Sequence, residues 1–159
     1  MAIQRELGKV LKKGEFFTHA LDFGCGWGRL TPQLVTHCSH LWAADLFTDW
    51  TGRAAAVGKS VTPVTLSSYE LPFDDGAFDL VVDIMTLQSV NEKDWRTCAN
   101  ELSRVTATGG TIISLMKHEM VEAGDHEIVN HLGIEASVTD IDTIDKKREL
   151  YCLIRGTRL

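Results

Sequence analysis

The chain has 159 residues, of which 44% are hydrophobic and 24% are charged, a balance typical of one globular domain that can bury a core without disulfide bonds. Its net charge is −6 at pH 7, and its longest basic cluster is the short run Lys146-Lys147-Arg148. Both features disfavour nucleic acid as a partner.

Cysteine usage and the N-terminal sequence predict a cytoplasmic protein. The first 17 residues carry a charge every few positions and contain no long apolar run, so we expect neither a signal peptide nor a membrane anchor. The cysteines show neither CxxC pairing nor metal-ligand spacing, and we expect them to be reduced, with no bound metal. They are Cys25, Cys38, Cys98 and Cys152.

The predicted elements begin with a short helix, because Ile3, Leu7, Val10 and Leu11 form one apolar stripe before Gly14. This helix is expected to pack across a sheet or to cap a cleft. Short apolar runs then alternate with helical patterns along the chain. The runs that we interpret as buried strands are residues 19–23, 41–45, 61–66, 78–83 and 111–116.

Two stretches between these strands have apolar residues at helical spacing. They are Leu30, Leu34, Val35 and Cys38 in the first stretch, and Trp95, Cys98, Ala99, Leu102 and Val105 in the second. Strands that alternate with helices indicate right-handed crossovers and a parallel sheet covered on both faces.

The last third of the chain has a different pattern. A helix around residues 126–132 is expected to end at Gly133, because glycine readily adopts the conformation that stops a helix. Two extended stretches follow, residues 134–140 and 150–156, and the connection at 143–148 is too short for a parallel crossover. The pattern therefore predicts an antiparallel hairpin at the edge of the parallel sheet.

The strand at 19–23 leads directly into a glycine loop, residues 24–28, with the sequence GCGWG. Glycines let the backbone turn tightly and let a ligand approach main-chain N–H groups. Asp45 ends the next strand 21 positions after Gly24, where an acidic side chain can bind ribose hydroxyls.

The glycine loop has two other interpretations. An isolated GxGxG is more often a tight strand-to-helix turn, but the strand-loop-helix context and Asp45 favour a ligand site here. A nicotinamide-binding Rossmann domain requires GxGxxG, and Arg29 stands where its third glycine would be. The spacing favours a different nucleotide-like ligand.

Ordered segments of the chain resemble the class I S-adenosylmethionine-dependent methyltransferases, particularly the small-molecule enzymes typified by the quinone-biosynthesis group. Residues 21–28 are similar to the family's first motif, and Asp45 is similar to its ribose-binding acid. Residues 70–82 are similar to the family's turn into its fourth strand. Residues 100–105, followed by residues 109–115, are similar to its next helix and its fifth strand.

The resemblance implies a Rossmann-like, doubly wound α/β fold. Its sheet would be mostly parallel, with seven strands in the order 3-2-1-4-5-7-6 and an antiparallel C-terminal hairpin. The whole chain would form a single domain. Its parts would be an N-terminal helix and lead-in at 1–18, a cofactor-binding core at 19–116, and a C-terminal helix and hairpin at 117–159.

The resemblance also implies S-adenosylmethionine as the cofactor and S-adenosylhomocysteine as its product. Gly24 and Gly26 would approach the methionine part, whose ammonium group Asp22 would help to hold. Asp45 would accept both ribose hydroxyls, and Leu46 would pack on the adenine. The implied cofactor-binding set is Asp22, Gly24, Cys25, Gly26, Gly28, Asp45, Leu46, Ser67, Ser68 and Asp83.

The remaining implied positions include departures from the family. Ser67 and Ser68 lie where the family binds the adenine edge, and many relatives carry an Asp in place of Ser67. Asp83 would lie beside the methionine moiety and the methyl group. Gln88 and Ser89 stand where many relatives have histidines after the fourth strand, so no catalytic residue is carried over.

Other polar and aromatic side chains have two interpretations each. Lys117 and His118 follow the fifth strand, where α/β sheets bind ligands, but solvated loop residues are the more common case. His126 and His131 are five positions apart, which is not the spacing of a helical metal pair. Trp27 either walls the cleft or packs against the first helix.

The sequence thus predicts an enzyme that transfers a methyl group from S-adenosylmethionine to an unidentified, small-molecule acceptor. The alternative is a non-catalytic S-adenosylmethionine-binding module completed by a partner protein. Because the segment after the fifth strand, residues 116–124, is short, the acceptor cleft is expected to be open. An open cleft suggests a bulky acceptor, closure by a second subunit, or a partner protein that completes the site.

Overall fold

Seven strands form one sheet in the computed structural model, which describes residues 2–91, 93–117, 127–141 and 151–159. The strands are β1 (Phe17–Phe23), β2 (Cys38–Asp45), β3 (Val61–Thr65), β4 (Phe78–Ile84), β5 (Thr106–Lys117), β6 (Ile134–Ile141) and β7 (Tyr151–Arg158). Their order across the sheet is β3-β2-β1-β4-β5-β7-β6, so the predicted fold class and strand order are confirmed.

The pairing directions also agree with the sequence pattern. β1 pairs in parallel with β2 and β4, β2 with β3, and β4 with β5. The two C-terminal strands differ, because β7 lies antiparallel between β5 and β6. The central strands are covered on both faces, because Val81 is buried in one core cluster while its neighbours Leu80 and Val82, which point to the opposite face, are buried in the other.

Helices cover the two faces of the sheet. Among the described residues they are α1 (Ala2–Val10), α2 (Thr31–Leu34), α3 (Thr48–Ala55), α4 (Trp95–Val105) and α5 (Glu127–Leu132), with a 3-10 turn at Leu87–Ser89. The stripe of α1 buries Ile3, Leu7 and Leu11 against the sheet, and α5 ends at Gly133, which has a φ of +60°. No helix among the described residues is long and apolar enough to cross a membrane.

The structure differs from the predicted elements in several places. The helical spacing that ends at Cys38 was misleading, since α2 has only four residues and Cys38 pairs with Phe17 as the first residue of β2. Sheet pairing determined the conformation there. Helix α3 has no counterpart among the predicted elements, and β5 begins at Thr106 rather than at residue 111. Predictions for residues 118–124, 126 and 143–148, and for the Cys152 side chain, lie outside the part described.

Candidate functional site

The glycine loop follows β1 directly, and its three glycines have positive φ angles of 70°, 52° and 75°. Only glycine adopts this left-handed conformation at little cost. A Cβ on Gly24 would lie 2.0 Å from the Thr86 Oγ1, and one on Gly28 would lie 2.7 Å from the Ala54 Cα. A Cβ on Gly26 would meet nothing within 4 Å. Gly24 and Gly28 are therefore needed for packing, while Gly26 faces open space.

Asp45 at the end of β2 fixes the shape of this loop. Its Oδ2 accepts a hydrogen bond from the Gly26 N–H at 3.0 Å, and its Oδ1 accepts one from the Phe47 N–H at 3.2 Å. The Ala44 carbonyl accepts hydrogen bonds from the N–H groups of Gly24 and Cys25 at 2.8 and 3.0 Å. The loop and the predicted ribose acid therefore form one hydrogen-bonded unit.

Asp22 lies under the glycine loop and is 2% exposed. Its Oδ2 has no hydrogen-bond partner, a property that it shares with only one other buried side-chain atom in the described part of the chain, the Thr31 Oγ1. Burial, together with the nearby charges of Asp45 and Asp83, raises the pKa of Asp22 from 3.8 to about 7. A buried carboxyl group with a free oxygen is costly unless a ligand pairs with it.

Asp83 lies at the end of β4, fully buried, and its carboxylate has three partners. Its Oδ1 accepts hydrogen bonds from the N–H groups of Thr86 and Leu87 at 3.1 and 2.9 Å, and its Oδ2 accepts one from the Ser114 hydroxyl at 2.6 Å. Burial raises the pKa of Asp83 to about 6, although these hydrogen bonds lower it. The structure thus places Asp83 behind the turn that follows β4.

The turn that follows β4 contains a residue with a strained backbone conformation, and this residue lines the cleft. Met85 has a φ of +66°, which makes it the one residue other than glycine with a positive φ among the described residues. Such residues cost about 1 to 3 kcal/mol and occur at functional sites. Its N–H donates to the Leu115 carbonyl at 2.8 Å, and the Ser89 hydroxyl donates to its carbonyl at 3.1 Å. The next residue, Thr86, fills the space beside Gly24.

Two adjoining cavities open where β1, β2 and β4 end, and they share Gly24, Gly26 and Trp50. The first encloses about 350 Å³ and the second about 420 Å³. The lining of the first includes Asp45, Leu46, Phe47, Tyr69, Met85 and Thr86. The lining of the second includes Asp22, Cys25, Trp27, Arg29, Leu30 and Ile84. Ligands of open α/β sheets bind at this edge, at the carboxyl ends of the strands.

The structure brings most of the predicted site residues to this cleft, but not all. Ser67 and Ser68 are exposed and line neither cavity, whereas Leu66 and Tyr69 on either side of them line the first. The Ser68 Oγ instead accepts a hydrogen bond from the Glu70 N–H at 3.2 Å. Their part in binding adenine remains a prediction, as does the cofactor contact of Asp83.

The secondary candidates have ordinary structural partners. Burial raises the pKa of the Cys25 thiol within the glycine loop, so this thiol is not activated as a nucleophile. The Gln88 Oε1 accepts a hydrogen bond from the Lys117 N–H at 2.7 Å, and the His131 Nδ1 lies 2.9 Å from the Asn100 Oδ1. No group of three potential metal ligands occurs among the described residues.

Several lining residues were not predicted from the sequence. They are Phe47, Trp50, Tyr69, Met85 and Thr86. The sequence predicts that Trp27 walls the cleft or packs against the first helix; its side chain lines the second cavity, and its ring lies against Trp50 and Arg53 of α3. Phe47 could have been predicted to line the cleft, because it follows Asp45 and Leu46 directly. That segment leaves β2 at the carboxyl end of the strand, where ligands bind. The left-handed Met85 has no counterpart in the sequence pattern.

With this geometry established, comparison with known proteins identifies the family. The chain matches the family model of the methyltransferase domain over residues 21–114, more than half of its length. It belongs to the class I S-adenosylmethionine-dependent methyltransferases. Members of this family bind S-adenosylmethionine, which is the cofactor that the sequence predicts. No curated protein matches the chain by sequence.

Solved structures share the fold at low sequence identity. The N-methyltransferase NodS from Bradyrhizobium japonicum WM9, solved with S-adenosyl-L-homocysteine, is 18% identical with a TM-score of 0.81, over 98% of this chain and 85% of NodS. An S-adenosylmethionine-dependent methyltransferase from Mesorhizobium loti is 16% identical with a TM-score of 0.78, over 99% and 98% of the two chains.

A third similar structure comes from an assembly. It is a chain from the complex that contains the Haloferax volcanii Trm112 methyltransferase activator, 16% identical with a TM-score of 0.75, over 97% of this chain and 88% of that one. At these identities the three likenesses establish the seven-stranded fold, while the family match establishes the class of protein.

Proposed function

We propose that the protein transfers the methyl group of S-adenosylmethionine to a small-molecule acceptor, and that the cofactor lies across the two cavities. The observation that carries this proposal is the free, buried Oδ2 of Asp22 beneath a glycine loop whose middle glycine faces open space. A buried carboxylate without a partner is suited to a ligand that carries positive charge.

The charges at the cleft fit this cofactor better than a dinucleotide. Asp22 and Asp45 lie at the base of the cleft, and their charges oppose each other, which is one reason why the pKa of Asp22 is raised. The ammonium group of S-adenosylmethionine would relieve that repulsion. The pyrophosphate of NAD would add negative charge beside both carboxylates, so it is disfavoured.

The residues that would hold the cofactor follow from their positions. Asp22 would bind the ammonium group, and Asp45, which keeps lone pairs beside its two backbone hydrogen bonds, would accept the ribose hydroxyls. Leu46 is exposed on the wall of the first cavity, where it can pack on the adenine. Gly26 would let the ligand approach the main chain.

When bound, S-adenosylmethionine supplies an activated methyl group, whose bond to sulfur breaks as its bond to a nucleophilic acceptor atom forms. The chain's own residues align the two reactants, which can supply most of the acceleration without a general base. Asp83 and Ser114 hold the Met85-Thr86 turn against Gly24 and so fix one wall of the first cavity. Asp83 is a positioning residue in this proposal.

Methyl transfer is tested by incubating the protein with S-adenosylmethionine that carries a tritiated methyl group and with a small-molecule extract of the source cells. We expect label in an acceptor fraction, and its loss with the Asp45→Ala variant. Intact binding of S-adenosylhomocysteine without any labelled product would instead favour the non-catalytic module, which the methyltransferase family match does not favour.

We propose three further properties of the protein: its domain organisation, a partner at the acceptor site and its location. The chain forms one domain, with the cofactor-binding core at 19–116 between the N-terminal lead-in 1–18 and the C-terminal segment 117–159. A second subunit or a partner protein can complete the acceptor site, as the assembly that contains an activator illustrates for another member of the fold. The third is a cytoplasmic location, which the cysteine usage predicts.

A further inference from the structure

The segment between β3 and β4 forms one wall of the first cavity. We call residues 66–77 the β3–β4 loop; all of them are described by the structure, and they contain neither helix nor strand. Leu66 and Tyr69 of this loop line the cavity, Leu66 as a buried side chain and Tyr69 as a partly buried one. Because the loop lacks the repeated backbone hydrogen bonds of a helix or strand, other contacts must hold this wall in place.

The start of the β3–β4 loop is joined to the cofactor site. The Leu66 N–H donates a hydrogen bond to the Asp45 carbonyl at 2.8 Å, and the Asp45 side chain holds the glycine loop. Within the β3–β4 loop, the Glu70 N–H donates to the Ser68 Oγ at 3.2 Å. The position of Tyr69 therefore depends on how the far end of the loop is held.

Two charged side chains of α4 hold that far end. Arg104 donates through Nη1 to the Phe73 carbonyl at 2.8 Å and through Nη2 to the Leu71 carbonyl at 3.0 Å. Its Nη1 also lies 2.8 Å from the Asp75 Oδ1. The Leu71 N–H donates to the Glu101 Oε2 at 2.8 Å. The two side chains thus restrain three residues of the loop.

Glu101 and Arg104 also orient each other. The Arg104 Nε donates to the Glu101 Oε1 and the Arg104 Nη2 to the Glu101 Oε2, both at 2.7 Å. These hydrogen bonds lower the pKa of Glu101, so its carboxyl group is ionised at neutral pH. The side chains of Glu101 and Arg104 are only 17% and 31% exposed. A bidentate pair of this kind fixes the guanidinium plane, and with it the donors that hold the loop.

The Glu101–Arg104 pair does not itself reach the cofactor cleft. Neither residue lines either cavity. A backbone contact, from the Gly76 N–H to the Arg104 carbonyl at 2.9 Å, adds to the connection between the loop and α4. Any effect of this pair on a ligand in the first cavity must therefore pass through the β3–β4 loop.

We propose that Glu101 and Arg104 are positioning residues of the cofactor site. They hold the β3–β4 loop so that Leu66 and Tyr69 form the wall on which the adenine ring packs. This inference rests on the proposed function, because it places the adenosine part of S-adenosylmethionine in the first cavity.

Calorimetric titration of the full chain with S-adenosylhomocysteine tests the proposal in the Arg104→Met variant. Met keeps an apolar stem of similar shape but has no hydrogen-bond donor. We expect the affinity to fall about three- to tenfold, because the adenine loses part of an ordered apolar wall. Glu101→Gln is a milder second variant, which keeps the shape of the side chain and removes its charge. It should give a smaller loss in the same direction.

Double-mutant cycles distinguish a positioning role from a general loss of stability. Tyr69→Ala removes the ring that Arg104 is proposed to position, so Arg104→Met should have a much smaller effect on affinity in that background. Asp22→Asn changes the opposite end of the proposed cofactor site. In that background the effect of Arg104→Met should persist in full.

Matched variants serve as controls. Arg96→Met removes another arginine of α4, whose Cζ lies 4.8 Å from the centroid of the Trp95 ring. Val61→Ala creates a cavity at the amino end of β3, the end of the strand away from the cleft. Neither should alter the affinity for S-adenosylhomocysteine. Val61→Ala should lower the Tm, which shows that lower stability alone does not weaken binding.

Three results would overturn the inference and leave the proposed function intact. They are an unchanged affinity in both Arg104→Met and Glu101→Gln, full additivity of Arg104→Met with Tyr69→Ala, and a loss of affinity in Val61→Ala that matches its loss of stability. Failure of S-adenosylhomocysteine to bind the unmodified chain would refute the proposed function as well.

Discussion

Replacing Asp22 with Asn should make the ligand-free protein more stable at pH 8 and weaken its binding of the cofactor. The carboxyl group of Asp22 is buried, its Oδ2 has no partner, and its pKa is raised from 3.8 to about 7. Ionised Asp22 therefore opposes folding. Asn keeps the shape of the side chain but cannot ionise.

The magnitude follows from the linkage between the pKa and stability. Below about pH 4 the folded and unfolded states both hold the proton, so ionisation has no effect. Between about pH 4 and pH 7 the unfolded chain has released the proton and the folded chain keeps it, so the stability falls as the pH rises. Above pH 7 the full loss is on the order of 4 kcal/mol for this pKa difference.

The assay is thermal denaturation of both proteins without ligand at pH 5 and pH 8. An unsatisfied amide offsets part of the gain, so we expect Asp22→Asn to be more stable than the unmodified chain by about 1 to 3 kcal/mol at pH 8. For a chain of this length that is a Tm increase of about 2 to 10 °C, with a smaller difference at pH 5. Asp83 titrates in both proteins, so the comparison removes its own contribution apart from its repulsion of ionised Asp22.

Binding should change in the opposite direction. The ammonium group of S-adenosylhomocysteine loses its charged partner in Asp22→Asn, so calorimetry should show an affinity at least tenfold lower at pH 8. The affinity of the unmodified chain should rise between pH 5.5 and pH 8, since the ligand favours the ionised carboxylate, and this rise should be much smaller in the variant. A variant that is less stable at pH 8, or that binds as tightly as the unmodified chain, would refute this reasoning.

Other substitutions test the rest of the site. Asp45→Ala should weaken the binding of S-adenosylhomocysteine by about 1 to 3 kcal/mol in calorimetry, and unchanged affinity would remove Asp45 from the ribose site. Ser114→Ala removes a buried hydrogen bond to Asp83 and should lower the free energy of unfolding by about 1 to 3 kcal/mol in urea; a neutral result would contradict the structure. Gly28→Ala meets both a positive φ and a backbone contact of 2.7 Å, so it should lose about 2 to 5 kcal/mol of stability. In Gly26→Ala the only cost is the positive φ, so this variant should lose about 1 to 2 kcal/mol of stability. It should also weaken the binding of the cofactor, by more than this loss of stability can account for.

The sequence predicted the sheet well because each parallel strand is a compact apolar run that local pattern can reveal. The family resemblance implied the order of the strands, and the sheet has that order. The errors arose where long-range pairing overrode local spacing. Cys38 continues a helical pattern but pairs with Phe17 in the sheet. Helix α3, residues 48–55, was missed because its segment shows no clear apolar periodicity.

The site was predictable only where its residues are close in the sequence. Asp22, the glycine loop and Asp45 could be found because strand ends in a parallel sheet present short motifs at one edge. The contact between Thr86 and Gly24 joins residues 62 positions apart, and no local pattern reveals it. The same holds for the partners of Asp83, through which this residue supports the turn that follows β4.

The central claim is that this cleft binds S-adenosylmethionine. Calorimetric titration of the unmodified chain at pH 8 with S-adenosylhomocysteine, and separately with NAD, tests it most directly. We predict saturable binding of one S-adenosylhomocysteine molecule per chain and no measurable heat with NAD at the same concentrations. Binding of NAD in its place, or binding of neither molecule, would contradict the claim.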